Sequence, residues 1–108
     1  MASPLTFVSV SKDDLREMFN SAAFQRRITS RELRPKLLAD SVPTPTPVGE
    51  PVGTHSQTIA YHDGRGKRIA TVHQYLRPDG TIGASGRQDP KAIRLGDVVY
   101  YIDLAHMF

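Results

Sequence analysis

The stretch of sequence that decides the fold is THSQTIAYHDGRGKRIATVHQYLRPDGTIGASGRQDPK, residues 54–91. Runs of alternating apolar and polar residues, rich in β-branched and aromatic side chains, are typical of strands, and clusters of glycine, proline and aspartate are typical of turns. The stretch therefore predicts three antiparallel strands joined by two tight turns, with His73 in the middle of the central strand.

The second of these turns, Arg77-Pro78-Asp79-Gly80-Thr81, carries the stronger signal. Proline fixes φ near the value of the first turn position, and glycine can adopt the left-handed conformation that follows. This pattern indicates a three-residue hairpin loop with a glycine bulge, which pairs Arg77 with Thr81.

A third strand, Thr81–Ser85, is predicted to follow this turn. Counting outward from the loop places Gly83 opposite Tyr75 and Ser85 opposite His73. Because glycine inside a strand costs stability, Gly83 indicates either a bulge or the close approach of a ligand or another chain.

The first turn, residues 63–66, fits loops of two, three or four residues, so the apolar pattern must select the register. Pairing Ile59 with Ala70 collects the apolar residues on one face, whereas a slip of one residue would bury the polar set. In this register Ser56 lies opposite His73. The predicted open face carries Ser56, Thr58, Thr71, His73, Tyr75 and Ser85.

The composition is that of one globular domain, residues 1–108, with 39% hydrophobic and 23% charged residues. The absence of cysteine excludes disulfides and thiolate metal sites, and suits the reducing cytoplasm. No apolar run approaches the roughly 20 residues of a membrane helix, so no membrane partner is expected. The net charge of +3 permits a nucleic-acid partner without requiring one.

The N-terminal part predicts a short strand over residues 5–10 followed by a helix that begins after Ser11 and ends between Ala23 and Gln25. Serine is a favoured N-cap, and acidic residues follow it in the first turn. One apolar stripe at helical spacing should cover the apolar face of the sheet. Its members are Leu15, Met18, Phe19 and Ala22.

A second helix is predicted after a basic connection at residues 26–28. Residues 29–32 have the form of a capping box, but Pro35 cannot lie inside a regular helix. Either the helix is kinked there, or it begins near Arg34 and runs to Asp40.

Residues 41–53, SVPTPTPVGEPVG, predict an extended connector that spans the domain. Two further strands, 91–95 and 98–102, should pair about the Gly96-Asp97 turn. The apolar tail, residues 103–108, is expected to dock on the domain or on a second subunit. In chain order this is an α+β domain, with a short N-terminal strand and one or two helices on one face of a mostly antiparallel meander of four or five strands.

His73 is the first candidate for chemistry, because the pKa of an unperturbed imidazole lies near neutrality. If the protein is an enzyme, His73 would be the acid or base, with Tyr75 and Ser85 as its catalytic neighbours. The alternative is a strand histidine that bonds to a cross-strand serine and has no catalytic role. No cofactor site is predicted.

A metal site is not predicted either. His55 and His62 are seven positions apart in one strand and so point to opposite faces. Only one of them can join His73, and no carboxylate is placed beside the pair.

Basic residues cluster at two connections that a meander would bring to the same end of the sheet. Such a cluster beside a hydroxyl-lined face suits a phosphate backbone, although turns also favour exposed charge for solubility. The residues of this predicted nucleic-acid site are Arg65, Lys67, Arg68, Arg87 and Lys91.

Two resemblances bear on function. The block H-x-Y-x(3)-D-G-x(4)-S-G-x-x-D-P-K, residues 73–91, resembles one in short uncharacterised bacterial and phage proteins. The predicted order strand, helix, helix, meander is similar to RelE/ParE-type toxins. This second resemblance covers topology only, and it implies a metal-independent ribonuclease that uses basic, histidine or tyrosine side chains on the open sheet face.

Three functions follow as hypotheses. The first is a small basic module that binds RNA or DNA through the polar sheet face and the basic turns. The second is a toxin-like ribonuclease on the same face. The third is a protein-binding accessory or structural subunit of a bacterial or phage assembly, with homodimerisation through the tail or a sheet edge as one form of association.

Overall fold

Two helices and six strands make up the described part of the chain, residues 4–102, in a computed structural model. In chain order they are β1 (Thr6–Val10), α1 (Lys12–Asn20), α2 (Ala22–Thr29), β2 (Arg34–Ser41), β3 (His55–His62), β4 (Arg68–Leu76), β5 (Asp89–Leu95) and β6 (Val98–Ile102). The strands form one sheet in the order β1-β6-β5-β4-β3-β2. Only β1 and β6 are parallel neighbours, so the α+β class and the largely antiparallel meander are confirmed, in a six-stranded mixed sheet.

The first helix begins as predicted and ends earlier than predicted. The Ser11 hydroxyl accepts a hydrogen bond from the Asp14 amide at 3.1 Å, which caps α1. Ser21 is extended and caps α2, because its hydroxyl accepts from the Phe24 amide at 3.2 Å. The predicted single helix is therefore two helices, and the predicted connection at residues 26–28 is helical.

The predicted second helix at residues 29–40 is wrong, since residues 34–41 form the edge strand β2. Thr29 ends α2, and Arg31 turns the chain with a φ of 66°. Pro35 disfavours helical backbone at Arg34 before it, and an edge strand tolerates proline because only one side needs its hydrogen bonds. Backbone chemistry at the proline thus outweighs the capping-box pattern.

The hairpin of β3 and β4 forms with its faces as predicted but with a register two residues away. Ile59 pairs with Val72 rather than with Ala70, and a bulge interrupts the pairing between Tyr61 and His62. Because side chains alternate with a period of two, a two-residue shift keeps every side chain on its predicted face. The prediction of the apolar and polar faces therefore holds although the pairing was wrong.

The predicted third strand at residues 81–85 is wrong as well. The turn itself closes as predicted, with the Arg77 amide donating to the Thr81 carbonyl at 2.8 Å. Beyond it the predicted pairing continues only through a bridge between Leu76 and Ile82 and a hydrogen bond from the Gly83 amide to the Tyr75 carbonyl at 2.7 Å. Ala84, with a φ of 53°, then turns the chain away. The strand beside β4 is β5, so His73 lies opposite Asp89 and not opposite Ser85.

A chain of side-chain hydrogen bonds ties this departing loop to the hairpin. The Tyr61 hydroxyl donates to Gln88 at 2.6 Å, Gln88 donates to Gln74 at 3.0 Å, and Gln74 donates to Gln57 at 2.8 Å. Each amide in the row is satisfied by the next, so these partly buried groups do not carry an unpaired polar atom. The row fixes residue 88 immediately before β5 begins.

The core lies where α1 packs on β5 and β6 and meets the apolar face of β4. Leu15 and Val72 have no exposed side-chain surface, and Phe19 stacks at a tilt on Phe24 with 5.5 Å between ring centroids. The predicted strands at the N-terminus and on either side of the Gly96-Asp97 turn are confirmed. The apolar tail falls outside the described residues, and within them no helix is long and apolar enough to cross a bilayer.

We expect Leu15→Ala to lower the free energy of unfolding by about 2–5 kcal/mol, because it empties a fully enclosed position. Urea denaturation followed by circular dichroism measures this. Leu5→Ala, at a 40% exposed position, is the matched control and should change the free energy by no more than about 0.5 kcal/mol. Equal losses in the two variants would contradict the placement of the core.

Candidate anion-binding cleft

A cleft of about 280 Å³ opens between the N-terminal end of α1, the end of β4, the start of β5 and the loop that joins the two strands. We call it the His73 cleft. Its polar and charged lining is Lys12, Arg16, His73, Gln74, Tyr75, Ser85, Arg87, Asp89 and Lys91. The four cations against one carboxylate leave an excess of three positive charges around the cleft.

His73 lines this cleft and lies beside hydroxyl groups, as predicted. Its Nε2 lies 2.8 Å from the Ser56 hydroxyl, and its ring meets the Tyr75 ring edge-on with 4.8 Å between centroids. Burial lowers the pKa of His73, Lys91 lowers it further, and Asp89 opposes them. The imidazole is therefore neutral at pH 7, the form that can accept a proton.

Asp89 gathers cations from two separate elements. Its carboxylate accepts from Arg16 Nε at 3.0 Å and from Lys91 Nζ at 3.2 Å, and Lys12 Nζ lies 4.0 Å away. Burial alone would raise the pKa of Asp89, but the hydrogen bonds from Arg16 and Lys91 hold it below its ordinary value. The carboxylate is ionised and keeps mutually repelling cations together around the cleft.

The loop at the mouth of the cleft is held by Glu50, from the proline-rich connector. The Glu50 side chain is only 4% exposed, and it accepts from Arg77 Nε at 2.8 Å and from the Ala84 amide at 2.7 Å. The Arg77 hydrogen bond, and next the Ala84 amide, lower the pKa of Glu50. A Cβ at Gly83 would come within 2.5 Å of the Glu50 carboxylate, so the glycine in this segment is explained by the close approach of this side chain.

The predicted site residues divide into two groups. The cleft brings together His73, Tyr75, Ser85, Arg87 and Lys91. The others, Arg65, Lys67 and Arg68, lie at the opposite end of β4, in and beside the turn that Asp63 organises by accepting from the amides of residues 65 and 67. The expectation that all five cations lie at one end of the sheet is wrong. Residues 81–85 do not form a strand, so residues 77–88 are a single connection between β4 and β5, at the opposite end of β4 from the basic turn.

Three charged groups of the cleft were missed in the sequence. Lys12 and Arg16 are one helical turn apart, a spacing that puts them on the same side of α1. The neighbouring sequence does not indicate which part of the sheet this side of the helix contacts. Asp89 falls between the predicted strands 81–85 and 91–95, where the sequence indicates no element for it. The one sequence signal for Glu50 is that it is the sole charged residue in the connector.

Metal-binding side chains do not assemble here. Within residues 4–102 no three histidine or acidic side chains converge in a way that could hold an ion. His55 is bonded to Asp40 at 2.7 Å, on the far side of the hairpin from the His73 cleft.

Comparison with known proteins adds no assignment: no protein-family model, no curated protein and no solved structure matches this chain. The function is therefore inferred from the geometry of the cleft.

We expect Gly83→Ala to displace the loop at the mouth of the cleft, because its Cβ would collide with the Glu50 carboxylate. The free energy of unfolding should fall by about 1–3 kcal/mol, as in other overpacked sites. Amide chemical shifts of residues 84–87 should move with it. Gly64→Ala, where a Cβ meets no atom within 4 Å, is the control, and a similar loss there would contradict the role given to Glu50.

We expect His73 to make the protein less stable as the pH falls from 7 to 5. The unfolded chain protonates at the ordinary imidazole pKa of about 6.5, whereas the folded pKa is lowered by burial and by Lys91, so the unfolded state binds more protons. Urea unfolding at both pH values measures the loss. His73→Gln should lose less stability over this range than the wild type. The same pH dependence in both proteins would contradict the role given to His73.

Proposed function

We propose that this protein binds single-stranded nucleic acid, RNA or DNA, with the backbone phosphates in the His73 cleft. The observation that carries the proposal is the excess of three positive charges around one small cleft, four cations less one carboxylate. Release of counterions when cations meet phosphates supplies most of the affinity of non-specific nucleic-acid binding.

The other groups in the cleft suit a single strand better than a duplex. Tyr75 and His73 present aromatic edges and faces beside the cations. An unpaired base can stack on such a ring, whereas a paired base is already stacked inside its helix. The hydroxyl of Ser85 adds a donor for a phosphate or a sugar oxygen.

The basic turn at residues 65–68 supplies a second contact for a longer strand. It lies at the other end of β4, about 17–23 Å from the cleft, because five residues separate Arg68 from His73 and seven separate it from Tyr75. A strand that follows the polar face could meet both regions. Because the cleft also has the aromatic and hydroxyl groups, we assign the main contacts to the cleft.

We expect Arg87→Ala and Lys91→Ala each to weaken binding of a labelled single-stranded oligonucleotide, and to reduce the slope of log K against log salt by about 1. Fluorescence anisotropy over a salt series measures both quantities for RNA, for DNA and for a duplex of each. Arg26→Ala removes an exposed arginine of α2 and serves as the matched control. Equal effects of all three variants, or no binding by the wild type at low salt, would overturn the proposal.

A metal-independent ribonuclease is the second candidate, and the neutral His73 favours it. An imidazole held neutral among cations could take the proton of an RNA 2′-hydroxyl as its oxygen bonds to phosphorus. The 5′-oxygen would leave and take a proton from water, giving a 2′,3′-cyclic phosphate. Tyr75 and Ser85 would position the sugar, and Arg87 or Lys91 would stabilise the charge on the phosphate.

Cleavage and binding can be separated by one substitution. If the protein is a ribonuclease, His73→Ala should abolish cleavage in the presence of EDTA while anisotropy still detects the RNA. If it only binds, the wild type leaves the RNA intact and His73→Ala has less effect on affinity than Arg87→Ala. A gel of end-labelled RNA decides between these outcomes.

A further inference from the structure

The two helices cover one face of the sheet and leave the other open. Leu15, Phe19 and Phe24 of the helices belong to the same core as Val72 and Ile93. Because side chains alternate along a strand, the residues next to Val72 and Ile93 point away from the helices. We call that side, which carries His73, the open face. Within residues 4–102 no helix packs on it.

Two aromatic side chains are accessible on the part of the open face that β1 and β6 form. Phe7 pairs with Val99 and is 63% exposed, and Tyr101, two residues beyond Val99, is half-exposed. The register places Ser9 and Ala92 on the two sides of Tyr101. Side chains this short cannot enclose a ring from strands about 4.8 Å away, so both rings keep accessible surface. We call these two rings the aromatic platform.

A shallow hollow of about 260 Å³ adjoins the aromatic platform. The pairing partners of its two rings, Val99 and Ala92, line the hollow. Arg94 lines it as well, and hydrogen bonds to the Gly96 carbonyl at 2.9 Å and to Asp97 at 3.4 Å hold its guanidinium. Unpaired bases stack on aromatic rings and on guanidinium planes, so this part of the open face offers a base both kinds of surface.

The aromatic platform lies close to the cations of the His73 cleft. Tyr101 and His73 point to the same side of the sheet, and two strand spacings and two residues separate them, which is about 12 Å. Lys91 lies between them on β5, where the pairing with β4 shifts. Proteins that hold single strands without regard to sequence combine aromatic stacking with a positively charged groove. The adjacent positive charge therefore favours a single strand of nucleic acid over another protein as the occupant of this face.

We propose that unpaired bases stack on Phe7 and Tyr101 while neighbouring phosphates of the same strand occupy the His73 cleft. The identity of the occupant rests on the proposed function, since the cleft supplies the phosphate contacts. The aromatic platform adds contacts that charge alone does not give, because a ring stacks on a base and not on a phosphate. It makes the protein selective for single strands over duplexes, whose bases are already stacked on one another.

The direct test compares two ligands with the same phosphates, a labelled single-stranded oligonucleotide and the same backbone without bases, by fluorescence anisotropy at low salt. We expect Phe7→Ala and Phe7→Leu each to weaken binding of the base-bearing strand at least about fivefold, and to leave binding of the abasic strand unchanged. Arg87→Ala, in the cleft, should weaken both. Leu37→Ala, at a 51% exposed position that pairs with Ile59 on the opposite face, is the matched control and should bind both strands as the wild type does.

The outcomes separate the aromatic platform from the phosphate site. If the wild type binds both strands equally and Phe7→Ala changes neither affinity, the platform is refuted and the proposed phosphate site stands. If the wild type binds neither strand, both proposals fail. If sedimentation equilibrium shows a dimer that Phe7→Ala dissociates, with no effect on either strand, the open face belongs to a second copy of the chain and the platform is refuted.

A second measurement detects the stacking itself. Because the chain contains no tryptophan, Phe7→Trp introduces a single indole into the aromatic platform. We expect the base-bearing strand to quench the fluorescence of this indole and the abasic strand to leave it unchanged. Leu37→Trp places the indole on the opposite face, where neither strand should quench it. Equal quenching of the two indoles, or quenching of neither while the strand is bound, would exclude stacking at residue 7.

Discussion

The alternation of side chains along β4 is the constraint on which the rest of this structure depends. Val72 is fully enclosed in the core, and the next residue, His73, must therefore point to the opposite side of the strand. There it meets the Ser56 hydroxyl and the Tyr75 ring. A slip of one residue would exchange the two faces, burying an imidazole and exposing a valine, and the burial of apolar side chains on one face opposes such a slip.

Around this strand, ionised carboxylates arrange the positive charge. Asp89 draws Arg16 from the first helix towards Lys91 from β5, and Glu50 fixes the loop that carries Ser85 and Arg87. Both carboxylates have lowered pKa values, because the ionised form accepts hydrogen bonds that the protonated form would lose. The cleft is thus built before any ligand arrives, which reduces the ordering that an anion would have to impose.

The errors in prediction occur where a distant group competes with a local pattern. Residues 81–85 alternate as a strand should, yet the amide of Ala84 bonds to Glu50, which is 34 positions earlier in the chain. Thr29 has the pattern of a helix start, yet it ends the preceding helix, and Pro35 favours extended backbone after it. The hairpin register was wrong by two residues, because period-two alternation distinguishes odd slips and is blind to even ones.

What the sequence determined by itself is local: the helix start at Ser11, the tight turns at residues 77–81 and 96–97, and the two faces of β3 and β4. These follow from neighbours a few positions apart, through capping, turn geometry and alternation. Only the tertiary structure decided which charges share a site. Arg16 and Asp89 are 73 positions apart, and their meeting depends on how α1 packs on β5, which no local pattern encodes.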